Sequence, residues 1–239
     1  MLSIALLKQD FMINRRAIVI TYMIQLFSLL IAMGICHMRL IEISDMFWDT
    51  LPVVVIPAGM MMLLAYRVMM AREDDGTMEL LLSTQMSPQR IFRTKLVFVL
   101  INAMLLLTVS TLFGCLTGVY RLTGVWKRST YVLLNLGSFS LQVAVGGYCF
   151  CISCIAKRTY RYIRAAVVVP CVFYGIYLIY YLFPGLFIVQ YLTPFSLFQQ
   201  EWFAKRAMML YIGSFGCVLI GILFLFLARH SFYERNIPE

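Results

Sequence analysis

Runs of about 20 consecutive apolar residues, separated by short polar connections, constrain this chain more than any other feature. A helix of that length crosses the ~30 Å hydrocarbon core of a bilayer. Such runs read at 17–37, 51–70, 96–119, 131–156, 165–184 and 207–228. Composition agrees, with 62% hydrophobic and 13% charged residues and a mean hydropathy of +0.86; soluble domains carry about 25% charged residues. The first run is longer than a signal-peptide core of roughly 7–15 residues, and no small-residue cleavage site follows it, so it is expected to remain. The expected fold is an all-α membrane protein with six transmembrane helices, forming one domain over residues 1–239.

Orientation follows from where the basic residues fall, because cytoplasmic connections carry the excess of Lys and Arg. Of the 20 Lys and Arg, only Arg39, Arg121, Lys127, Arg128, Lys205 and Arg206 lie on the side opposite the termini. Both termini and the connection from Arg72 to Lys95 are therefore expected in the cytoplasm. Trp48, Trp126 and Trp202 all fall in the three outer connections, where an amphipathic ring suits the headgroup level. The net charge of +9 is thus a matter of membrane topology, and no nucleic-acid partner is expected. Residues 1–16 read as an amphipathic helix lying in the inner interface, with Ile4, Leu7 and Phe11 at helical spacing and Lys8, Asn14, Arg15 and Arg16 polar.

The polar stretch Arg72–Lys95 holds the one sizeable acidic cluster. Arg72, Glu73, Asp74 and Asp75 end a helix, Gly76 lets the chain turn, and 77–86 reads as a short amphipathic helix with Glu79 in its first turn, where the helix dipole favours a negative charge. Ser87 and Pro88 then restart a helix, serine as cap and proline at the first helical position. One reading is an ordinary solvated loop. The other is a docking lever between two membrane helices. The run R-E-x-x-G-T-x-E-x-L-L, followed by a Ser-Pro turn and R-I-x-R-x-K, resembles the first cytoplasmic loop of ATP-binding cassette type-2 exporter permeases.

The last outer connection, Leu186–Lys205, is apolar and aromatic and carries L-T-P-F at Leu192–Phe195. A proline-phenylalanine pair here is also similar to that family. Two readings stand: a pair of re-entrant half-helices whose backbone ends are covered by protein, or an interfacial loop anchored by aromatics. No catalytic constellation is visible. His37 and His230 sit at opposite faces, no carboxylate pair lies within a span, and no G-x-x-x-x-G-K-[ST] loop is present to cradle nucleotide phosphates. The seven cysteines fall in or beside apolar spans and are expected as free thiols; Cys149, Cys151 and Cys154 lack a nearby histidine or carboxylate to complete a metal site.

Within the spans the polar groups are neutral. Gln25, Ser28 and Gln142 are candidates for a substrate pathway, or for hydrogen bonds between helices. Tyr174, Tyr177 and Tyr181 form a stripe that suits packing or the wall of a cavity. Ser110, Gly114 and Gly118, and likewise Gly213, Cys217 and Gly221, repeat every four residues where helices can approach closely, within one subunit or between two.

The resemblance covers the whole chain in layout and about twenty-five residues in motif. It implies a dimer of identical or homologous permease subunits in a bacterial cell membrane, seated on separate cytoplasmic ATPase subunits that carry the ATP and Mg²⁺. This chain would then bind no cofactor and be no enzyme. The coupling helix would be 77–86, with Arg72, Glu73, Gly76 and Glu79 matching the family motif and Thr77 and Leu80 beside them. The cargo would be a hydrophobic or amphipathic peptide, drug or lipid moved outward by alternating access. A non-transporting scaffold or immunity component and a stand-alone channel remain as alternatives.

Overall fold

The computed structural model describes residues 3–37, 54–83, 86–118, 128–156, 158–182 and 208–236. Among these residues all regular structure is helical. Helix α1 (Ile4–His37) is followed by α2 (Ile56–Ala65), which runs through a π-helical stretch (Tyr66–Met70) into α3 (Ala71–Asp74). Then come α4 (Thr77–Ser83), α5 (Pro88–Thr117) and α6 (Arg128–Ile155). A short α7 (Thr159–Tyr162) continues through a second π-helical stretch (Ile163–Val168) into α8 (Val169–Leu182), and α9 (Met208–Asn236) closes the described chain. Within these, Pro88–Thr117, Arg128–Ile155 and Tyr211–Glu234 are long and apolar enough to cross a membrane.

Several expected boundaries move. Residues 4–37 form one unbroken helix, so there is no break between an interfacial lead and a first span. The inward side of its first turns is Leu6, Asp10 and Asn14, while Ile4 is exposed and Leu7 and Phe11 lie at the edge of the core. Helix α5 starts at Pro88, so the polar residues before Leu96 extend the membrane helix by two turns. Ser87 stands before it in extended conformation, but its hydroxyl makes no capping bond; its carbonyl accepts from the Arg90 and Ile91 amides instead. Trp48, Trp126, Trp202, the L-T-P-F segment and the expected half-helices lie outside the described residues.

Helix α6 is the spine. It is buried along most of its length between α9, α2 and α5. Glycine makes the closest approach: a Cβ on Gly147 would stand 2.6 Å from the Gly221 carbonyl oxygen, and one on Gly221 would stand 2.6 Å from that of Val143. The Gly213, Cys217 and Gly221 row is buried, with Gly221 at this crossing inside one subunit. The other small-residue row receives a ring. Tyr131 lies over Gly114 and its hydroxyl donates to the Ser110 carbonyl at 3.0 Å.

The second π-helical stretch has a local cause. Pro170 has no N–H to offer the carbonyls of Ala166 or Ala165, the four- and five-back acceptors of a helix. Two side chains of α6 supply donors: Tyr148 gives its hydroxyl to the Ala165 carbonyl at 2.7 Å and Cys149 its thiol to that of Ala166 at 3.5 Å. In an apolar medium unpaired carbonyls cost several kcal/mol each, so this repair holds α8 against α6. The first π-helical stretch is tied to the same place, because Tyr162 donates to the Met62 carbonyl at 2.7 Å and its ring stands 5.5 Å from that of Tyr66.

Large apolar side chains face outward along α1 (Val19, Met23, Phe27) and α9 (Phe215, Leu219, Phe226), as lipid-facing surfaces do. The glycine crossing gives a stability test. Gly221→Leu should lower the detergent melting temperature by an amount equivalent to about 1–3 kcal/mol of overpacking. Gly59→Ala, where nothing lies within 4 Å, should leave it unchanged or raised. Equal melting of Gly221→Leu and the unaltered chain would contradict the close crossing.

Candidate functional site

The polar connection folds as a hairpin of short helices at one end of the bundle. α3 ends because Gly76 adopts a positive φ of 67°, a conformation that side chains with a Cβ resist. Thr77 donates its hydroxyl to the Arg72 carbonyl at 3.1 Å and so closes the turn. The following helix is described over Thr77–Ser83; of the expected 77–86, positions 84–85 lie outside the described residues and Met86 is not helical. It has two faces: Met78 is buried, while Thr77, Glu79 and Leu80 are exposed, Leu80 at 69%. Glu73 is half-buried on α3.

Arg72 behaves differently from its neighbours in the motif. It turns inward, 7% exposed, and its guanidinium pairs with the Asp10 carboxylate of α1. The Lys95 ammonium of α5 stands 3.7 Å from the same carboxylate oxygen, and Asp10 and Lys95 are each 0% exposed. One carboxylate thus joins three elements: α1, the root of the α3–α4 turn, and the start of α5. Asp10 Oδ2 and Lys95 Nζ find no hydrogen-bond partner among the described residues. Removing charges from water costs several kcal/mol per ion, so this cluster is held together by mutual attraction and is intolerant of losing a member. Neighbouring bonds reinforce it: Asn14 donates to the Asp10 carbonyl at 2.9 Å, the Ser3 amide donates to Thr94 Oγ1 at 3.2 Å, and the Phe11 and Phe98 rings meet edge-on at 4.8 Å. On the far side of α3, Thr159 donates to the Asp74 carboxylate, tying α7 to the same turn.

Sequence reasoning missed Asp10. The available signal was that it is the one acid in residues 1–16, four residues before Asn14. Among the pathway candidates, Gln25 and Ser28 come together: Gln25 Nε2 donates to Ser110 Oγ of α5 at 3.2 Å and Ser28 donates to the Gln25 carbonyl at 2.7 Å. They form an interhelical bond between α1 and α5. Gln142 is buried within α6. Tyr174 lines a different cavity of 180 Å³ with Met62, Pro170 and Cys171, and the Tyr177 side chain lies outside the described residues. Cys149, Cys151 and Cys154 are buried free thiols, and no three His, Cys, Asp or Glu gather into a metal-holding group among the described residues.

A cleft of 610 Å³ opens beside the charge cluster, between α1 and the α2–α4 segment, lined by Gln9, Asn14, Arg67, Arg72, Thr77 and Leu80 among others. No protein-family model, no curated protein and no solved structure matches this chain.

The cluster makes a specific stability prediction. Asp10→Ala leaves two buried cations facing each other and should cost about 3–5 kcal/mol. The triple change Asp10→Leu, Arg72→Met, Lys95→Met should melt near or above the unaltered protein, because apolar groups of similar volume replace buried ion pairs at little cost. Detergent melting curves check both; an Asp10→Ala protein that melts unchanged would mean the carboxylate is not the shared counter-ion.

Proposed function

We propose that this chain is the transmembrane subunit of an ATP-driven exporter of the ATP-binding cassette type-2 class. The observation that carries the reading is the form of α4: a short helix with Glu79 and Leu80 facing out, Met78 facing in, and its root held by Arg72 to Asp10 of α1, the carboxylate that Lys95 of α5 also faces. Such a helix presents a surface to a soluble partner and passes any displacement to membrane helices. The partner in this reading is a cytoplasmic ATPase that holds ATP and Mg²⁺, since the sequence carries no phosphate-binding loop of its own. Two permease subunits, identical or homologous, sit on two ATPases, with both termini of each chain in the cytoplasm of a bacterial cell. Six membrane spans complete each subunit in this reading. ATP favours the joined state of the ATPases, which draws the two α4 helices and turns the pathway outward; the switch works only because ATP binds one state better than the other.

Neutral polar groups in the helix interiors, among them Gln25, Ser28, Asn102, Ser110 and Gln142, support a hydrophobic or amphipathic cargo. An ion-coupled pathway generally sets ionisable groups at that depth. In this account Arg72 positions α4 from within, and the docking contacts fall to Thr77, Glu79 and Leu80.

Mild-detergent purification from native membranes tests the reading. A soluble subunit with a Walker-type phosphate loop should accompany the chain in equal number. Glu79→Arg should reduce that recovery and ATP-dependent transport by about tenfold, equivalent to ~1.4 kcal/mol, and Glu73→Ala should weaken coupling, while both variants insert at the normal level. The chain recovered alone, or full transport by both variants, would overturn it.

A further inference from the structure

The cleft between α1 and the α2–α4 segment shares Thr77 and Leu80 with the proposed docking face, while its α1 wall and Arg67 take no part in that docking. Its chemistry is uneven. Among its lining residues Arg67 and Asp75 are exposed and Arg72 is buried, Gln9, Asn14 and Thr77 add amide and hydroxyl groups, and Ile13 and Leu80 are apolar. Behind Arg72 lies the buried cluster, in which two cations share one carboxylate. Counting Arg67, Arg72 and Lys95 against Asp10 and Asp75, the cleft and its backing keep an excess of one positive charge. A cation buried without a full complement of negative partners favours any anion that approaches it.

Position narrows the anion. Arg72, which lines the cleft, shares Asp10 with Lys95, the last polar residue of α5 before the apolar run from Leu96; a change from basic to apolar residues along a membrane helix marks the headgroup level of a bilayer. The cleft's α1 wall includes Ile13, on a surface that continues into the exposed Ile20 and Ile24. A ligand with an anionic head and an apolar tail meets both surfaces at once. Guanidinium groups suit the head, because their planar fork matches two phosphate oxygens.

We propose that this cleft is a binding site for a phosphate-bearing anion, with an anionic phospholipid headgroup as its occupant. Arg67 makes the outer contact and the side of Arg72 turned to the cleft the inner one, while the acyl chains follow the apolar face of α1. The proposal requires only that the helices cross a bilayer, and it stands or falls apart from the exporter reading. Bound lipid at this point would brace α4 against α1, so the bilayer's charge would set how firmly the turn is held.

The test uses the full chain in a neutral detergent and follows melting temperature and lipid retention by native mass spectrometry. The probes are phosphatidylglycerol, phosphatidylcholine and inorganic phosphate. Phosphatidylglycerol should bind saturably and raise the melting temperature, with phosphatidylcholine much weaker. Arg67→Gln, an exposed change that leaves the buried cluster intact, should weaken phosphatidylglycerol about five-fold, as expected for one basic side chain at a membrane surface. Arg15→Gln, an exposed basic residue on the face of α1 turned away from Ile13 and outside the cleft, should not. If inorganic phosphate reproduces the Arg67-dependent stabilisation, the phosphate site stands and its natural ligand is soluble. Equal effects of phosphatidylglycerol and phosphatidylcholine, equal losses in Arg67→Gln and Arg15→Gln, or no saturable effect of any probe would overturn the proposal.

Discussion

The Asp10 carboxylate is the constraint on which one end of this molecule depends. It is fully buried and answers two cations from two other elements, Arg72 and Lys95. An isolated carboxylate at that position would be too costly to bury, and so would either cation. Together they fix the height of α1 against α5 and the point at which α3 turns into α4. Ion pairs of this kind add little net stability compared with an apolar core, but they have few alternative arrangements. The register of three elements is therefore tied to one carboxylate oxygen, Asp10 Oδ1.

Away from that end, the bundle is held by α6. Its glycines let α9 approach to backbone contact, and its Tyr148 and Cys149 satisfy carbonyls freed by Pro170 on the α7–α8 segment. Tyr66 in the π-helical stretch before α3 meets Tyr162 at the end of α7, and Thr159 joins the α3 end to α7. The turn carrying α4 is consequently linked to α1 and α5 through charge and to α7 through hydrogen bonding. A displacement of α4 has continuous packed routes into the helices on both sides.

The helical class, and the helices Pro88–Thr117, Arg128–Ile155 and Tyr211–Glu234 that are long and apolar enough to cross a membrane, were legible because long apolar runs leave few options in lipid. The turn at Gly76 and the restart at Pro88 were legible for the same kind of reason: glycine and proline each restrict the backbone locally. What the sequence hid was which side of a helix faces inward. Residues 1–16 show Leu7 and Phe11 at apolar spacing, yet the buried side runs through Leu6, Asp10 and Asn14. In a membrane protein apolar side chains face lipid as readily as the core, so an apolar stripe does not by itself point inward. Arg72 was hidden similarly, since its partner lies 62 residues away and no local pattern announces it. The π-helical stretches were also silent, because only the Pro170 position offers a local cause.

The Asp10 cluster ties the turn that carries α4 to α1 and α5, and α4 should therefore keep one position relative to the other helices. Pulsed spin–spin distance measurement tests it most directly, with labels at Leu80→Cys on α4 and His230→Cys on α9, both exposed, in a background lacking the native cysteines. The account predicts one narrow distance distribution in the otherwise unaltered protein, and a clearly broader one when Asp10→Asn removes the shared charge and the bundle remains folded. Distributions of equal width in the two proteins would contradict it.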